Sequence, residues 1–276
     1  MKINYNGRRS TLTNGNYPLE TMRIVLIGAG NLASQLAPQL AQIANVEISQ
    51  IYSRTKESAQ LLASTIGCEW VINPELILED ADLYIFSLKD SALESVLREM
   101  KPNKGIWVHT AGSIPMDIFQ SYASRYGVFY PLQTFSKNKS ISLKNVPFFI
   151  EGSDSNVEKT LLELARLLSD DVRLLSSDKR KEIHLAAVFV CNFTNHMYTI
   201  AADILEEKGI PFEVLIPLIE ETTQKLSYLH PKQAQTGPAV RFDENVINKH
   251  LSLLNNDYKA IYRLLSESIY KIHSKE

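Results

Sequence analysis

Four apolar residues followed by a spaced pair of glycines constrain this chain more than any other feature. Residues 22–33 read Met-Arg-Ile-Val-Leu-Ile-Gly-Ala-Gly-Asn-Leu-Ala. Ile24, Val25, Leu26 and Ile27 form a continuous apolar run, and three of them are β-branched. Such a run suits a strand buried on both faces of a parallel sheet. Gly28, Gly30 and Ala33 then fall in the spacing G-x-G-x-x-A, the dinucleotide fingerprint with alanine in third place. Each small residue has a mechanical task. Gly28 permits the turn out of the strand, and Gly30 lets a pyrophosphate approach the backbone. Ala33 allows the helix to lie close to the strand. The first helical residues, Asn31 and Leu32, then present backbone N–H groups to phosphates, helped by the helix dipole. The alternative is a turn of an α/β protein that binds no nucleotide.

Length and composition narrow the class. A chain of 276 residues holds one large domain or two ordinary ones. Its 45% hydrophobic and 22% charged content is that of a globular protein. A net charge of −2 gives no general attraction to nucleic acid or anionic membranes. No apolar run reaches the ~18 residues of a membrane span. Cys68 and Cys191 are far apart and in apolar settings, so they read as buried thiols; no metal spacing exists. The cytoplasm is the default compartment. Residues 1–21 are polar, rich in Asn, Thr and Gly, with Arg8 and Arg9. They lack the apolar centre of a secretory signal, so either Met22 is the natural start or the extension is a loose tail; a transit peptide is the outside reading, since there is little amphipathic pattern.

Beyond the fingerprint, apolar and polar segments alternate as in a doubly wound α/β fold. Strands are expected at 46–52, 68–71, 83–86, 106–109, 128–130, 148–150 and 172–175. Helices are expected at 56–66, 90–100 and 157–168, besides the one that follows the fingerprint. From Ser177 onward only helices are legible. Ser177-Asp178 reads as a start cap for one long helix to about Lys208, where Gly209 and Pro211 stop it. Further helices are expected at 212–229, 243–254 and 257–273. The organisation is thus a Rossmann sheet domain over 22–176 and an all-helical domain over 177–276.

The end of the second strand bears on the choice of dinucleotide. NAD enzymes place a carboxylate there, on the ribose 2′-OH. This chain offers Ser53-Arg54-Thr55-Lys56. A carboxylate would repel a 2′-phosphate, whereas a guanidinium and hydroxyls bind it through charge-assisted bonds. NADP is therefore expected; the alternative is that Arg54 and Lys56 are a solvated helix start. Two more strand ends should meet the cofactor, because ligands sit at the carboxyl ends of parallel strands. These carry Ser87 and Leu88, and His109, Thr110 and Ala111. Asp90 is expected to cap a helix. His109 reads either as a ligand contact or as a satisfied structural histidine.

Five stretches carry a resemblance: 28–33 (Gly-Ala-Gly-Asn-Leu-Ala), 109–113 (His-Thr-Ala-Gly-Ser), 127–135 (Gly-Val-Phe-Tyr-Pro-Leu-Gln-Thr-Phe), 184–193 (His-Leu-Ala-Ala-Val-Phe-Val-Cys-Asn-Phe) and 236–243 (Thr-Gly-Pro-Ala-Val-Arg-Phe-Asp). On these the chain resembles pyrroline-5-carboxylate reductase and the deazaflavin-dependent NADP oxidoreductases. In those proteins a Rossmann domain precedes a helical domain akin to that of 6-phosphogluconate dehydrogenase. It is most similar to a bacterial Rossmann-like family whose helical C-terminal domain has no assigned function. The resemblance implies NADP binding, a homodimer built through the helical domain and a cleft facing the nicotinamide. It implies no particular substrate. Related hydroxyacid dehydrogenases carry Lys-x-x-x-Asn on the first long helix; here Val188 stands four residues before Asn192. The Pro-Ala-Tyr signature of the proline-forming reductases is also absent, and Tyr130 stands where many relatives have His.

Hydride transfer to a carbonyl or imine requires a proton donor near the nicotinamide. His184 is the candidate, early on the long helix in an apolar stretch. On a continuous α-helix Asn192 would lie about 80° round from it and Asn195 nearly in line. The competing reading is an interhelical hydrogen-bond network. Arg241, after the Gly237-Pro238 break, could grip a substrate carboxylate, or pair with Asp243 while Asp243 caps the next helix. Tyr130 and Gln133 could add a phenol or amide, and His250 could face inward with Asp243. His196, His230 and His273 are expected at the surface. The leading expectation is an NADP-dependent oxidoreductase acting on a small carbonyl or imine. The alternatives are an NADP-binding sensor without turnover and a deazaflavin-linked oxidoreductase.

Overall fold

The computed structural model describes residues 21–137 and 139–274. The expected loose extension therefore lies almost wholly outside the described residues. The strands expected from the sequence all form: β1 (Met22–Ile27), β2 (Val46–Tyr52), β3 (Glu69–Val71), β4 (Leu83–Phe86), β5 (Ile106–His109), β6 (Tyr126–Pro131), β7 (Phe148–Gly152) and β8 (Val172–Leu174). They make one sheet in the order β3-β2-β1-β4-β5-β6-β7-β8. All neighbours are parallel except β6 and β7. This is the doubly wound Rossmann order with two strands added at one edge. The strand order reverses between β1 and β4, and the crevice at that point opens at the carboxyl ends of the strands.

Helices α1 (Asn31–Ala41), α2 (Lys56–Ile66), α3 (Asp90–Glu99) and α4 (Ser155–Arg166) cover the sheet. The side chains of β1 alternate between the two faces. Ile24 and Leu26 join α1 in one core cluster, while Val25 and Ile27 pack with Tyr84, Phe86 and Trp107 on the other face. All four are fully buried, as a strand covered on both sides requires. Ala33 is also fully buried, so α1 lies close on the sheet.

The region after β8 departs from the sequence reading in its details. The single long helix expected to Lys208 is instead α5 (Ser177–Ala187), a π-helical stretch over Val188–Phe193 and α6 (Thr194–Glu206). A π-turn holds more residues than an α-turn, so the even 100° step assumed across 184–195 fails. The polar stripe drawn from His184 through Asn192 to Asn195 does not follow. Nor does Ser177 cap the helix. Ser176 holds that position, and the Ser177 side chain turns to Glu151 instead. The segment 212–229 is a 3₁₀ turn, then α7 (Ile216–Gln224), then a second 3₁₀ turn. A short α8 (Pro231–Ala234) follows, unanticipated from the sequence. The last helices are α9 (Glu244–Leu253) and α10 (Asn256–His273).

By its contacts the chain divides into two compact units, the first ending at Val188 and the second beginning at Phe189. The sequence division was drawn at 176/177; α5 belongs with the sheet because Ile183 packs against Val128, Tyr130 and Phe149. In the second unit the Tyr258 hydroxyl donates to Asp203, joining α10 to α6. His250 bonds Tyr262 at 2.7 Å rather than turning inward with Asp243. Asp243 caps α9 through Val246 N–H, as read from the sequence. No ion pair forms between Arg241 and Asp243 among the described residues. His196 and His230 are exposed. His273 is half-buried, with its ring nitrogens at the carbonyls of Ile269 and Lys232. Among the described residues no helix is long and apolar enough to cross a membrane.

Candidate active site

A cleft of about 870 Å³ opens along the carboxyl ends of the parallel strands. It lies wholly within the first unit. Every cofactor residue expected from the sequence lines it, with the exception of His109: Gly28, Gly30, Asn31, Leu32, Ser53, Arg54, Thr55, Ser87, Leu88, Thr110 and Ala111. His184, Tyr130 and Gln133 line it as well.

The two glycines act differently. Gly28 has φ +114°, a conformation that L side chains rarely adopt. A Cβ there would also collide with the carbonyl group of Ser87, its carbon at 2.8 Å. Gly28 is thus required for β1 and the end of β4 to approach each other. Gly30 has ordinary extended geometry, φ −81°. A Cβ on it would meet nothing within 4 Å. It faces the open space that a ligand's phosphates would take. Gly30 caps α1 without any side-chain bond to the first turn, so those N–H groups remain available to an anion. The Asn31 amide is committed elsewhere: it donates to Phe135 O at 3.0 Å and ties the 135 loop to the start of α1. Asn31 therefore offers the cleft its backbone rather than its side chain.

At the end of β2, Arg54 is exposed and lines the cleft. Lys56 does not; its ammonium lies 6.0 Å from the centre of the Trp70 ring. Of the two cations read from the sequence, the structure separates one that faces the cleft from one that leans on β3. Asp90 is not a cap either. Lys89 occupies that position, and the Asp90 carboxylate accepts from Ser113 Oγ at 2.5 Å. This bond fastens the start of α3 to the loop after β5.

His109 is 1% exposed. Its Nδ1 accepts from Ala111 N–H at 3.2 Å, and its ring lies against Phe119. Burial, reinforced by the nearby Arg180 charge, pushes its pKa down to about 3. It is a neutral residue that shapes the β5 turn from within the core, and the turn's Thr110 and Ala111 meet the cleft.

The other end of the cleft is built from β6, the β5 loop and α5. Tyr130 lies near the end of β6, two residues past its parallel pairing with β5, and its hydroxyl is 3.2 Å from His184 Nδ1. Tyr130 is 8% exposed. Burial raises its pKa, partly opposed by the Arg180 charge, so the phenol is protonated at neutral pH. The His184 ring rests on Gly112: a Cβ at that position would sit 2.5 Å from His184 Cγ. Only glycine leaves room for the ring. Gly112→Ala is accordingly expected to displace His184 and to cost about 1–3 kcal/mol, as overpacking does. Denaturant unfolding monitored by tryptophan fluorescence checks this; an unchanged midpoint would contradict the tight contact.

Asn192 and Arg241 belong to the second unit. Asn192 lies in the π-helical stretch, and Arg241 ends a 3₁₀ turn that follows Gly237 at φ +105°. Both are exposed. One residue that sequence reasoning passed over is Arg180. It is fully buried and pairs with Glu151 at 2.7 Å. Its spacing signal was weak, since an arginine in the first turn of a polar helix normally reads as solvated. Among the described residues no group of acidic, His and Cys side chains could hold a metal ion.

Comparison with known proteins agrees with this architecture. Residues 23–109 match the family described as NADP oxidoreductase, coenzyme F420-dependent. Residues 146–269 match a domain of unknown function, DUF2520. No curated protein matches the chain. Among solved structures, a Bacteroides fragilis protein provisionally named an NADP oxidoreductase is 47% identical, over 91% of this chain and 98% of that one, with a TM-score of 0.85. A reductive aminase from Aspergillus terreus, solved with NADPH and ethyl-5-oxohexanoate, is 13% identical over 92% and 93% of the two chains, TM-score 0.67. Pyrroline-5-carboxylate reductase from Streptococcus pyogenes is 15% identical over 92% and 99%, TM-score 0.61. The last two share the fold. With a Rossmann half and a DUF2520 half matched in turn, and nearly half of all residues shared with the Bacteroides protein along its whole length, this chain belongs to the same family of NADP oxidoreductases.

Proposed function

We propose that this protein transfers a hydride from NADPH to a small carbonyl or imine, with His184 as the proton donor. The observation that carries this reading is one cleft with two chemically distinct ends. One end has the uncapped start of α1 and Arg54, which suit a diphosphate and a 2′-phosphate. The other has an imidazole hydrogen-bonded to a protonated phenol.

The open space above Gly30 and the absence of a carboxylate at the end of β2 fit NADP. Gly28, Gly30, Asn31 and Leu32 would hold the pyrophosphate, and Ser53, Arg54 and Thr55 the 2′-phosphate. Ser87, Leu88, Thr110 and Ala111 would line the path toward the nicotinamide. When bound, the nicotinamide supplies the hydride. The protein's own task is then to move one proton. As the imidazolium, His184 would donate Nδ1–H to the Tyr130 oxygen and give its Nε2 proton to the oxygen or nitrogen of the reduced group, which leaves a neutral ring. Tyr130 stays protonated and orients the ring. Asn192 and Arg241 are proposed to act on the substrate, Arg241 as a partner for a carboxylate.

The chain is further proposed to act as a homodimer through its helical domain. Leu218, Leu253 and Leu264 there are 63%, 80% and 67% exposed in the single chain. So much apolar side chain in one small helical unit is what an association surface looks like.

The cofactor assignment is tested by fluorescence titration of Arg54→Ala. NADPH binding is expected to weaken about 10- to 100-fold, as for loss of a charge-assisted bond, with NADH binding nearly unchanged. Equal weakening of both would remove the 2′-phosphate site.

A further inference from the structure

We infer that Arg180 is a positioning residue for the candidate proton donor: its buried guanidinium locks α5, β7 and the loop after β5 into the one arrangement that seats His184 between Tyr130 and Gly112. The inference rests on the reading of His184 given above.

Arg180 is the only arginine that is fully buried among the described residues. Three bonds from its guanidinium reach three separate elements. Nη1 donates to Glu151 Oε2 at 2.7 Å, on β7. Nη2 donates to the carbonyl of Ile114, in the loop after β5. It also donates to Ser177 Oγ at 3.1 Å, at the start of α5. Ser177 closes the circuit: its N–H and Oγ donate to the two oxygens of Glu151 at 2.8 and 2.6 Å, and its Oγ accepts from Met116 N–H at 3.1 Å.

Each anchored element carries part of the His184 seat or pairs with the strand that does. Arg180 and His184 are four apart on α5, hence on one face of the helix. Ile114 is two residues past Gly112, on which the imidazole rests. Glu151 pairs in register with Val128, two residues before Tyr130 on β6. A shift of any one element changes the Tyr130–His184 bond.

Stability alone does not account for a charge here. A buried ion pair is commonly replaced by apolar side chains of equal volume with no loss, because desolvation offsets the attraction. What an apolar cluster cannot do is fix direction. A planar guanidinium imposes the angles of all three bonds at once. Its charge also reaches two buried rings, lowering the pKa of His109 in the core and opposing the rise at Tyr130 in the cleft.

The test reads the His184 ring directly, in full-length protein with selectively labelled histidine. The ring ¹⁵N signals of His184, identified by their loss in His184→Ala, are compared in wild type, Tyr130→Phe, Arg180→Met and the charge-neutral Arg180→Met/Glu151→Gln. NADPH titration of each variant serves as the control for fold. The expected result is that an Arg180 variant which binds NADPH normally shows the His184 shifts of Tyr130→Phe. Wild-type shifts in a folded Arg180→Met or in the double variant would overturn the inference. So would failure of both to bind NADPH or fold, which would make Arg180 a general support of the domain. Turnover does not enter this readout. The positioning role can therefore fail while His184→Ala still abolishes reduction, and it can hold if His184 proves not to be the donor.

Discussion

His184→Ala is expected to lower the rate of NADPH oxidation by about 10²- to 10⁴-fold, the usual contribution of a placed general acid. Affinity for NADPH is expected to stay nearly unchanged. The split follows from where the ring sits. His184 lines the cleft with its Nδ1 committed to Tyr130, at the far end from the residues that meet phosphate. Removing the imidazole would take away the proposed proton source without touching Gly28, Gly30 or Arg54. The measurement is loss of NADPH absorbance with a panel of small carbonyls and imines, beside a binding titration. A folded variant with undiminished turnover would remove His184 from the mechanism. Loss of folding would return it to the status of a structural hydrogen-bonding group. If wild type binds NADPH but oxidises it with no member of a broad panel, the sensor reading gains ground.

The second large effect is expected at Gly28, with Gly30 as its counterpart. Gly28→Ala forces an L residue to φ +114° and drives a methyl group into the backbone of Ser87. Backbone strain of this kind costs about 1–3 kcal/mol. Overpacking against a neighbour adds about 1–3 kcal/mol more. The sum is a large share of the ~5–15 kcal/mol that holds a protein folded. The variant should unfold at much lower denaturant and lose NADPH binding with it. Gly30→Ala should behave in the opposite way. Its backbone is ordinary and its new methyl meets open space. The unfolding midpoint should stay close to wild type while NADPH affinity falls, because the methyl group enters the phosphate space. Equal stability losses in both variants would show that Gly30 serves the turn rather than the ligand.

The alternating half of the chain was the more legible. The central strands β1, β4 and β5 announced themselves through short apolar runs, because a strand buried on both faces tolerates little else. The helices between them were equally plain, and α2 was read to the residue. Past Ser177 the legibility drops for a physical reason. An α-helix and a π-helix draw on the same residues, so Val188–Phe193 carried no mark of its different winding. The stripe through Asn192 and Asn195 was lost with it. Capping was misjudged where a side chain had a stronger partner: Ser177 turned to Glu151, and Asp90 to Ser113. A cap residue gains about one hydrogen bond, and any long-range partner of equal quality can displace it.

The local sequence by itself determined the phosphate end of the site. A turn that requires positive φ, a glycine beside a helix start and an arginine where a carboxylate would stand are all set within 28 consecutive positions, Gly28 to Thr55. Tertiary structure alone decided the end proposed for proton transfer. Gly112, Tyr130, Glu151, Arg180 and His184 come from five different segments, and nothing in the spacing of any one shows that they meet. Their meeting depends on strand order, on β6 running parallel to β5 and on the winding of α5. Phosphate recognition is a property of backbone shape over one turn, which neighbouring residues dictate. Proton delivery is a property of distances between side chains, which only the closed fold supplies.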